Sequence, residues 1–281
     1  ELLAKPKIHW LQDAPNAQLV DHLPFLVKLR LPDGWRRVSS STKSWVATSD
    51  SLGVYFKAYL PRSWADWFKT LAGGRARREY LNSSRLRHSG IQAPEVLCWG
   101  KARNLLFSIT STVPGEGLNH YARESWPARL SGSELRNKRL LLRDLGKELA
   151  RLHNSGIFHA DLRPQNVMVY DGGFGFIDND HNRFYRRVPD HRVLTNLRQL
   201  GQISLRYASR SDRLRVLRAY YQARTATYAW HELVGLALEA HRISMSRIYG
   251  SRDADKWTEE TTEATLTSLG QAAETDEALS T

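Results

Sequence analysis

The chain has 281 residues, with 41 Lys or Arg against 29 Asp or Glu and a formal net charge of +12. Apolar residues make up 41% and aromatics 10%, enough to bury a sizeable core and to exclude wholesale disorder. No apolar run is long enough to cross a bilayer, the first ten residues lack the pattern of a secretory signal, and the lone Cys98 excludes an intrachain disulfide and fits a reducing compartment.

Residues 35–38, 45–48 and 54–59 are short segments rich in aromatic and β-branched residues. The turns 39–44 and 49–53 part them, so three antiparallel strands are expected. A helix is expected over 75–88, closed by Gly90, with Tyr80, Leu81 and Leu86 on its buried side. After Pro94, two more strands over 96–99 and 105–110 complete a five-stranded sheet with one main helix. Ser131 and Glu134 then stand at capping-box spacing, and Leu135, Leu142, Leu145, Leu149 and Leu152 recur at helical intervals. That helix should stop near His153, with Gly156 at its end. A hairpin is expected over 167–177, turning at 171–173, and helices should resume near Thr195 and run, with breaks, to Ile248. There is no repeat and no evident linker.

Charge is unevenly spread. The stretch 251–281 has 2 basic and 8 acidic residues, and without it 39 basic and 21 acidic residues remain, a net of +18. The acidic stretch reads as poorly ordered or as a short helix around Trp257. The basic remainder should attract an anion: nucleic acid, nucleotide phosphate or an acidic membrane surface.

The chemistry concentrates in His159-Ala-Asp161-Leu-Arg163-Pro-Gln-Asn166 and in Phe176-Ile-Asp178-Asn-Asp180. Two loops bracket a tight hairpin, so Asp161, Asn166 and Asp178 can converge on one point. Two carboxylates and an amide oxygen are hard ligands suited to Mg²⁺. Phosphoryl transfer needs such a metal against the triphosphate, and a carboxylate to orient the attacking hydroxyl and take its proton.

These segments closely resemble the catalytic loop and metal-binding segment of the protein-kinase-like fold. Lys57, near the end of the third strand, and Glu79, in the following helix, match the kinase lysine–glutamate pair. Residues 57–62, 73–82, 88–95 and 177–180 narrow the resemblance to the bacterial lipopolysaccharide core kinases, the Kdo kinase and heptose kinase group, over roughly 35–230. The resemblance implies an α+β, two-lobed fold: an N-lobe over 1–112, a helical C-lobe over 113–250 and the acidic tail over 251–281. It also implies ATP-dependent phosphorylation of an inner-core sugar hydroxyl, at the cytoplasmic face of the inner membrane. The implied partners are lipopolysaccharide or its lipid A-core precursor and an anionic membrane surface. No nucleic-acid motif appears and no protein partner is inferred.

By the same resemblance, Lys57 meets the ATP phosphates and Glu79 orients it. Asp161 is the base, Asn166 and Asp178 hold Mg²⁺, Arg163 meets the γ-phosphate and His159 braces the loop. Thr112 and Pro114 belong to the hinge that meets adenine. Ser40 and Ser41 lie in the turn that covers the phosphates, where protein kinases have a glycine-rich loop and this chain has no glycine. Asn179-Asp180 replaces the usual Phe-Gly, and Asp180 is either a second metal ligand or a structural acceptor. No Ala-Pro-Glu segment follows, which argues against a protein kinase. The arginines between Asp178 and Thr195 either grip a substrate anion or form a solvated basic loop. The Trp64–Lys69 stretch either faces lipid headgroups or packs inside. A soluble kinase of the aminoglycoside or choline type is the alternative. Such enzymes handle cationic substrates, and the +18 body counts against them. A non-catalytic module has no support, because Lys57, Glu79, Asp161, Asn166 and Asp178 are all present.

Overall fold

Alternation of side chains builds the sheet. In β4 (Val54–Tyr59), Val54, Phe56 and Ala58 face one core while Lys57 points the other way. The computed structural model describes residues 7–11, 16–40, 44–60, 74–102, 105–127, 129–203, 206–225 and 231–235. All five expected strands form: β2 (Arg36–Ser40), β3 (Ser44–Ser49), β4, β5 (Val96–Ala102) and β6 (Leu105–Ser111). A sixth, β1 (Lys7–Trp10), pairs antiparallel with β5, and His9 stacks on Trp99 at 4.1 Å. The order is β1-β5-β6-β4-β3-β2, antiparallel throughout.

One face of this sheet is covered by α1 (Ala17–Leu26), which the sequence pattern did not announce. Asn16 caps it, accepting from Leu19 N at 3.2 Å, and Leu19, Leu23 and Leu26 pack with Trp35, Trp45, Phe56, Phe107 and Ile109. On α2 (Gly74–His88) the buried side is Ala76, Glu79, Asn82, Ser83 and Leu86. Tyr80 is half-buried and Leu81 is 40% exposed, so the expected apolar side is corrected. The helix is polar inward because acidic and amide groups face it, as described below. Leu86 at its end, with Ile91 and Ala93, belongs to the second core.

That second core is mainly helical. α3 (Leu118–Ser125) precedes α4 (Gly132–Asn154), whose capping box of Ser131 and Glu134 forms as the spacing predicts. Leu142, Leu145, Leu149 and Leu152 of α4 are buried. α4 packs on α6 (Arg210–Ala223) through Gly146, where a Cβ would lie 2.3 Å from Val216 O. α5 (Asp190–Leu200) begins five residues before Thr195, directly after Pro189. The helices expected beyond Thr225 lie largely outside the described residues, as do Trp64–Lys69 and the tail over 251–281. Among the described residues no helix is long and apolar enough to cross a membrane.

Five short strands, in two small sheets, set the site. β7 (Glu116–Gly117) pairs with β9 (Val167–Tyr170), which forms a hairpin with β10 (Gly173–Phe176). Gly115, at φ +86°, brings the chain out of β6 so close to β9 that a Cβ would lie 1.9 Å from Val169 O. β8 (Ile157–Phe158) leads into the catalytic loop and pairs with β11 (Arg183–Phe184), downstream of Asp178.

Candidate active site

Lys57 leaves the sheet and donates to Asp178 Oδ1, a residue 121 positions away in sequence. Its Nζ also lies 5.3 Å from the centre of the Tyr59 ring. Burial works against its charge, but Tyr59, Asp180, Asp178 and Glu79 outweigh it and hold the ammonium above its ordinary range. Asp178 follows β10 in the left-handed region at φ 65°, a conformation Asp tolerates better than most residues. Burial pushes its carboxyl up, yet Lys57 prevails and keeps it below the usual range.

Asp180, only 1% exposed, takes Arg75 Nε on Oδ2 at 2.5 Å, and its backbone oxygen takes Arg78 Nε at 3.2 Å. Arg75 lies over the same Tyr59 ring as Lys57, at 4.9 Å. Of the two readings of Asp180, the ion pair with Arg75 is the structural-acceptor arrangement. Glu79 accepts from Ser83 Oγ at 3.3 Å through one oxygen, while the other is buried with no hydrogen-bond partner among the described residues. Burial pushes Glu79 up to about 7, with Lys57 pulling the other way. Glu79 does not bond Lys57 directly but acts on it through charge. Glu79, Asp178 and Asp180 bring one oxygen each within 4.8 Å of one another.

The loop over 159–166 is tied to this cluster through Ile177. Pro164 opens the one-turn helix Pro164–Asn166 with its preset φ, and the turn brings Asn166 back onto Asp161. Asn166 Nδ2 donates to Asp161 O at 2.8 Å and to Oδ2 at 3.1 Å. Arg163 grips the Asp161 carboxylate with two bonds, of 2.6 and 2.5 Å. Ile177 N donates to Asn166 O at 3.1 Å, tying the hairpin's exit to the loop. His159 is fully buried. Its Nε2 donates to Ile177 O at 3.0 Å and its Nδ1 accepts from Asp161 N at 3.3 Å. Burial holds it below its ordinary range, so it is a neutral brace.

Asp161, Arg163, Asn166, Asp178, Asp180, Lys57 and Glu79 are thus brought together. Thr112 and Pro114 lie on the exposed link between β6 and β7, outside the cluster; Thr112 N donates to Gly53 O at 2.8 Å. Ser40 ends β2 opposite Trp45, and its side chain and Ser41 fall outside the described residues. Of the basic residues after Asp178, Arg183, Arg186 and Arg187 are exposed, whereas Arg192 stacks over Phe158 at 5.0 Å and serves packing.

Several contributors escape sequence reasoning. Arg75 and Arg78 read from sequence as basic charge beside the Trp64–Lys69 stretch, suited to lipid headgroups, yet both bond Asp180. Asn196 and Gln199 of α5 hold the loop's backbone: Asn196 Nδ2 donates to His159 O at 2.6 Å, Gln199 Nε2 to Ala160 O at 2.9 Å, and Gln199 Oε1 accepts from Leu162 N at 3.2 Å. The available signal was a pair of amides on the helix face that also carries Val193, Leu197 and Leu200.

Residues 33–220 match the model of the lipopolysaccharide kinase (Kdo/WaaP) family. A curated protein of Thermoplasma acidophilum, "Probable bifunctional tRNA threonylcarbamoyladenosine biosynthesis protein", is 27% identical over 130 residues, 46% of this chain and 22% of that protein. The chain therefore spans about a fifth of that relative's length. A solved structure described as "WaaP in complex with acyl carrier protein" is similar with TM-score 0.56 at 18% identity, covering 80% of this chain and 92% of the other. A structure of WbdD gives TM-score 0.46 at 17% identity over 81% of this chain and 50% of the other.

Proposed function

The chain belongs to the lipopolysaccharide kinase (Kdo/WaaP) family, and on that premise we propose that it transfers the γ-phosphoryl group of ATP to a Kdo or heptose hydroxyl of the lipopolysaccharide inner core. The observation that supports this reading is that Lys57 binds Asp178, Asn166 binds Asp161, and Ile177 N on Asn166 O at 3.1 Å ties the two pairs together.

Asp161 aligns the sugar hydroxyl and accepts its proton as the oxygen attacks phosphorus and the bond to the ADP oxygen breaks. Arg163, forked onto Asp161, sets that carboxylate and meets the γ-phosphate. Lys57 meets the α- and β-phosphates, and Glu79 holds its charge in place. The donor set fits Mg²⁺: hard oxygens cluster here, and one Glu79 oxygen is buried without a hydrogen-bond partner. Asn166 and Asp178 would hold the ion, with Asp180 beside them. When bound, Mg²⁺ neutralises the charge on the phosphates. Ser40 and Ser41 offer donors over the phosphates, and Thr112 and Pro114 border adenine. The proposed lobes are 1–112 and 113–250, with the tail over 251–281 outside them. The +18 body suits an anionic glycolipid at a membrane surface, and by analogy with the complex named above acyl carrier protein is a candidate protein partner.

The test is transfer from labelled ATP with Mg²⁺ to purified rough lipopolysaccharide, with the new phosphate mapped. Choline and aminoglycosides serve as competing acceptors. Asp161→Ala should lower turnover on the order of 10³-fold, the scale of a lost general base, and Asp178→Ala should be at least as severe. Near wild-type turnover in either variant sinks the assignment.

A further inference from the structure

Three buried asparagines stand behind the charged cluster: Asn82 on α2, and Asn179 and Asn182 just past Asp178. They are 8%, 0% and 7% exposed, so each amide must find its partners inside the protein. Asn82 Nδ2 donates to Asn179 O at 2.7 Å and to Asn182 O at 3.4 Å. Asn179 Nδ2 donates to Phe176 O at 2.9 Å and to Ser83 Oγ at 3.3 Å. Asn182 Nδ2 donates to Asn179 Oδ1 at 2.8 Å, and its own Oδ1 accepts from Ala160 N at 3.1 Å. Asn182 N closes the turn on Asn179 O at 3.1 Å.

These bonds form one continuous chain. It starts on the helix that carries Glu79 and Arg75, runs through both flanks of Asp178 and ends on the amide next to Asp161. Packing alone would be served by apolar residues of similar volume, without the need to satisfy so many polar atoms. What amides add is direction, because each bond fixes an angle as well as a distance. The segment needs it, since Asp178 sits in a backbone conformation that its surroundings must hold. Being neutral, the three side chains hold the carboxylates without adding to their charge.

We propose that Asn182, supported by Asn82 and Asn179, is a positioning residue that sets Asp161 and Asp178 relative to each other before substrate arrives. The catalytic part of this rests on the phosphoryl-transfer reading above. The bonded chain takes over from the usual Phe-Gly after the metal aspartate, and it ties α2 to both carboxylate-bearing segments at once.

The test compares wild type with Asn182→Ala, Asn82→Ala and the double variant in the full chain. Kinetics are read on ATP, and amide hydrogen exchange over 159–166 without substrate. A displacement near 1 Å at a reacting group costs about 10²-fold, so Asn182→Ala should lower kcat by about that factor while the KM for ATP moves less than about threefold. The double variant should lose far less than the product of the two single losses, because both act on one chain of bonds. Exchange at Ala160 should rise in Asn182→Ala. A kcat within twofold of wild type in Asn182→Ala, or unchanged exchange at Ala160, overturns the proposal. Should Asn182→Ala fail to fold, Asn82→Ser, which keeps a shorter donor, carries the same test, and an unchanged kcat there overturns it equally. A wild-type protein that transfers no phosphate to any acceptor sinks the kinase reading and the catalytic part with it, whereas the exchange measurement still decides whether the bonded chain holds the loop.

Discussion

Around Asp178 the neighbours are ions: Lys57 on its carboxylate, Arg75 on Asp180, and Glu79 buried between them. Around Asp161 the loop's backbone hangs on neutral amides: Asn196 on His159 O, Gln199 on Ala160 O and Leu162 N, Asn182 on Ala160 N. The two halves are tied together where Ile177 N donates to Asn166 O at 3.1 Å, yet are stabilised by different forces. Ion pairs rearrange when a new charge enters, which suits the side proposed to receive phosphates. Bonds to neutral amides do not respond to an incoming charge in that way, which suits the side that must keep a base in place. The charged half should therefore answer to charge and pH at the nucleotide, and the amide half to changes of shape.

Among the changes that test this contrast between the halves, the largest effect should come from Lys57→Ala. It leaves Asp178, whose side chain is 38% exposed, without its partner, a loss on the order of 1 kcal/mol in stability. It also removes a phosphate contact, so kcat/KM for ATP should fall about 10²- to 10³-fold. Denaturant unfolding and ATP kinetics on the same preparations check both. Unchanged ATP kinetics would break the assignment of this half to the nucleotide.

The halves should next separate by pH, in metal-free buffer. Glu79 is raised from its ordinary value to about 7, so its folded form prefers the proton. The stability it contributes is present at acid pH and is lost as pH rises from about 4.5 through 7. His153, buried between Tyr220 OH at 2.9 Å and Asn196 Oδ1 at 3.1 Å, is lowered to about 4, chiefly by burial. Its contribution is present above about 6.5 and is lost as pH falls toward 4, on the order of 3 kcal/mol in all. The slopes oppose each other. Thermal melts of Glu79→Gln should therefore show a steeper loss toward acid than wild type, and those of His153→Gln a shallower one. Parallel profiles for the two variants would remove the distinction.

Asn196→Ala comes next. It strands the buried His159 carbonyl and one His153 nitrogen, which costs about 2 kcal/mol by the usual penalty for an unmet buried group. Because the loop loosens while the ions stay, kcat should fall with little change in ATP affinity. An isotherm for ATP weakened as much as kcat would place the nucleotide on the wrong half.

The charged half was the legible one. Lys57, Glu79 and Asp178, with Asp161 from the other half, stand out because their order along the chain has few structural explanations. The amide half was not, since Asn82, Asn182, Asn196 and Gln199 are ordinary surface residues until tertiary contacts bury them. The same holds for the inward side of α2, where apolar spacing picked Tyr80, Leu81 and Leu86: Leu86 is buried, but Glu79, Asn82 and Ser83 take the places expected for Tyr80 and Leu81. β1 is four residues long and alternates too briefly to register, and Pro24 inside α1 masked a leucine spacing that packs well. The early start of α5 was readable in principle, from Pro189 followed by Asp190.

The smallest expected effect lies at Arg163, the charged contact on the carboxylate of the amide-held half. Its fork makes two bonds to Asp161 and stands partly in water, so screening keeps its contribution to folding small. Arg163→Lys keeps the charge but replaces a planar fork by a single flexible point. Asp161 would keep its Asn166 bonds and its pinned backbone, while the angle of its carboxylate and the proposed contact of Arg163 with the γ-phosphate would slacken. Turnover should drop about tenfold, near 1.4 kcal/mol, with melting temperature unchanged. A drop as large as that of Asp161→Ala would mean that charge holds this half after all, and the contrast with the Lys57 side would fail.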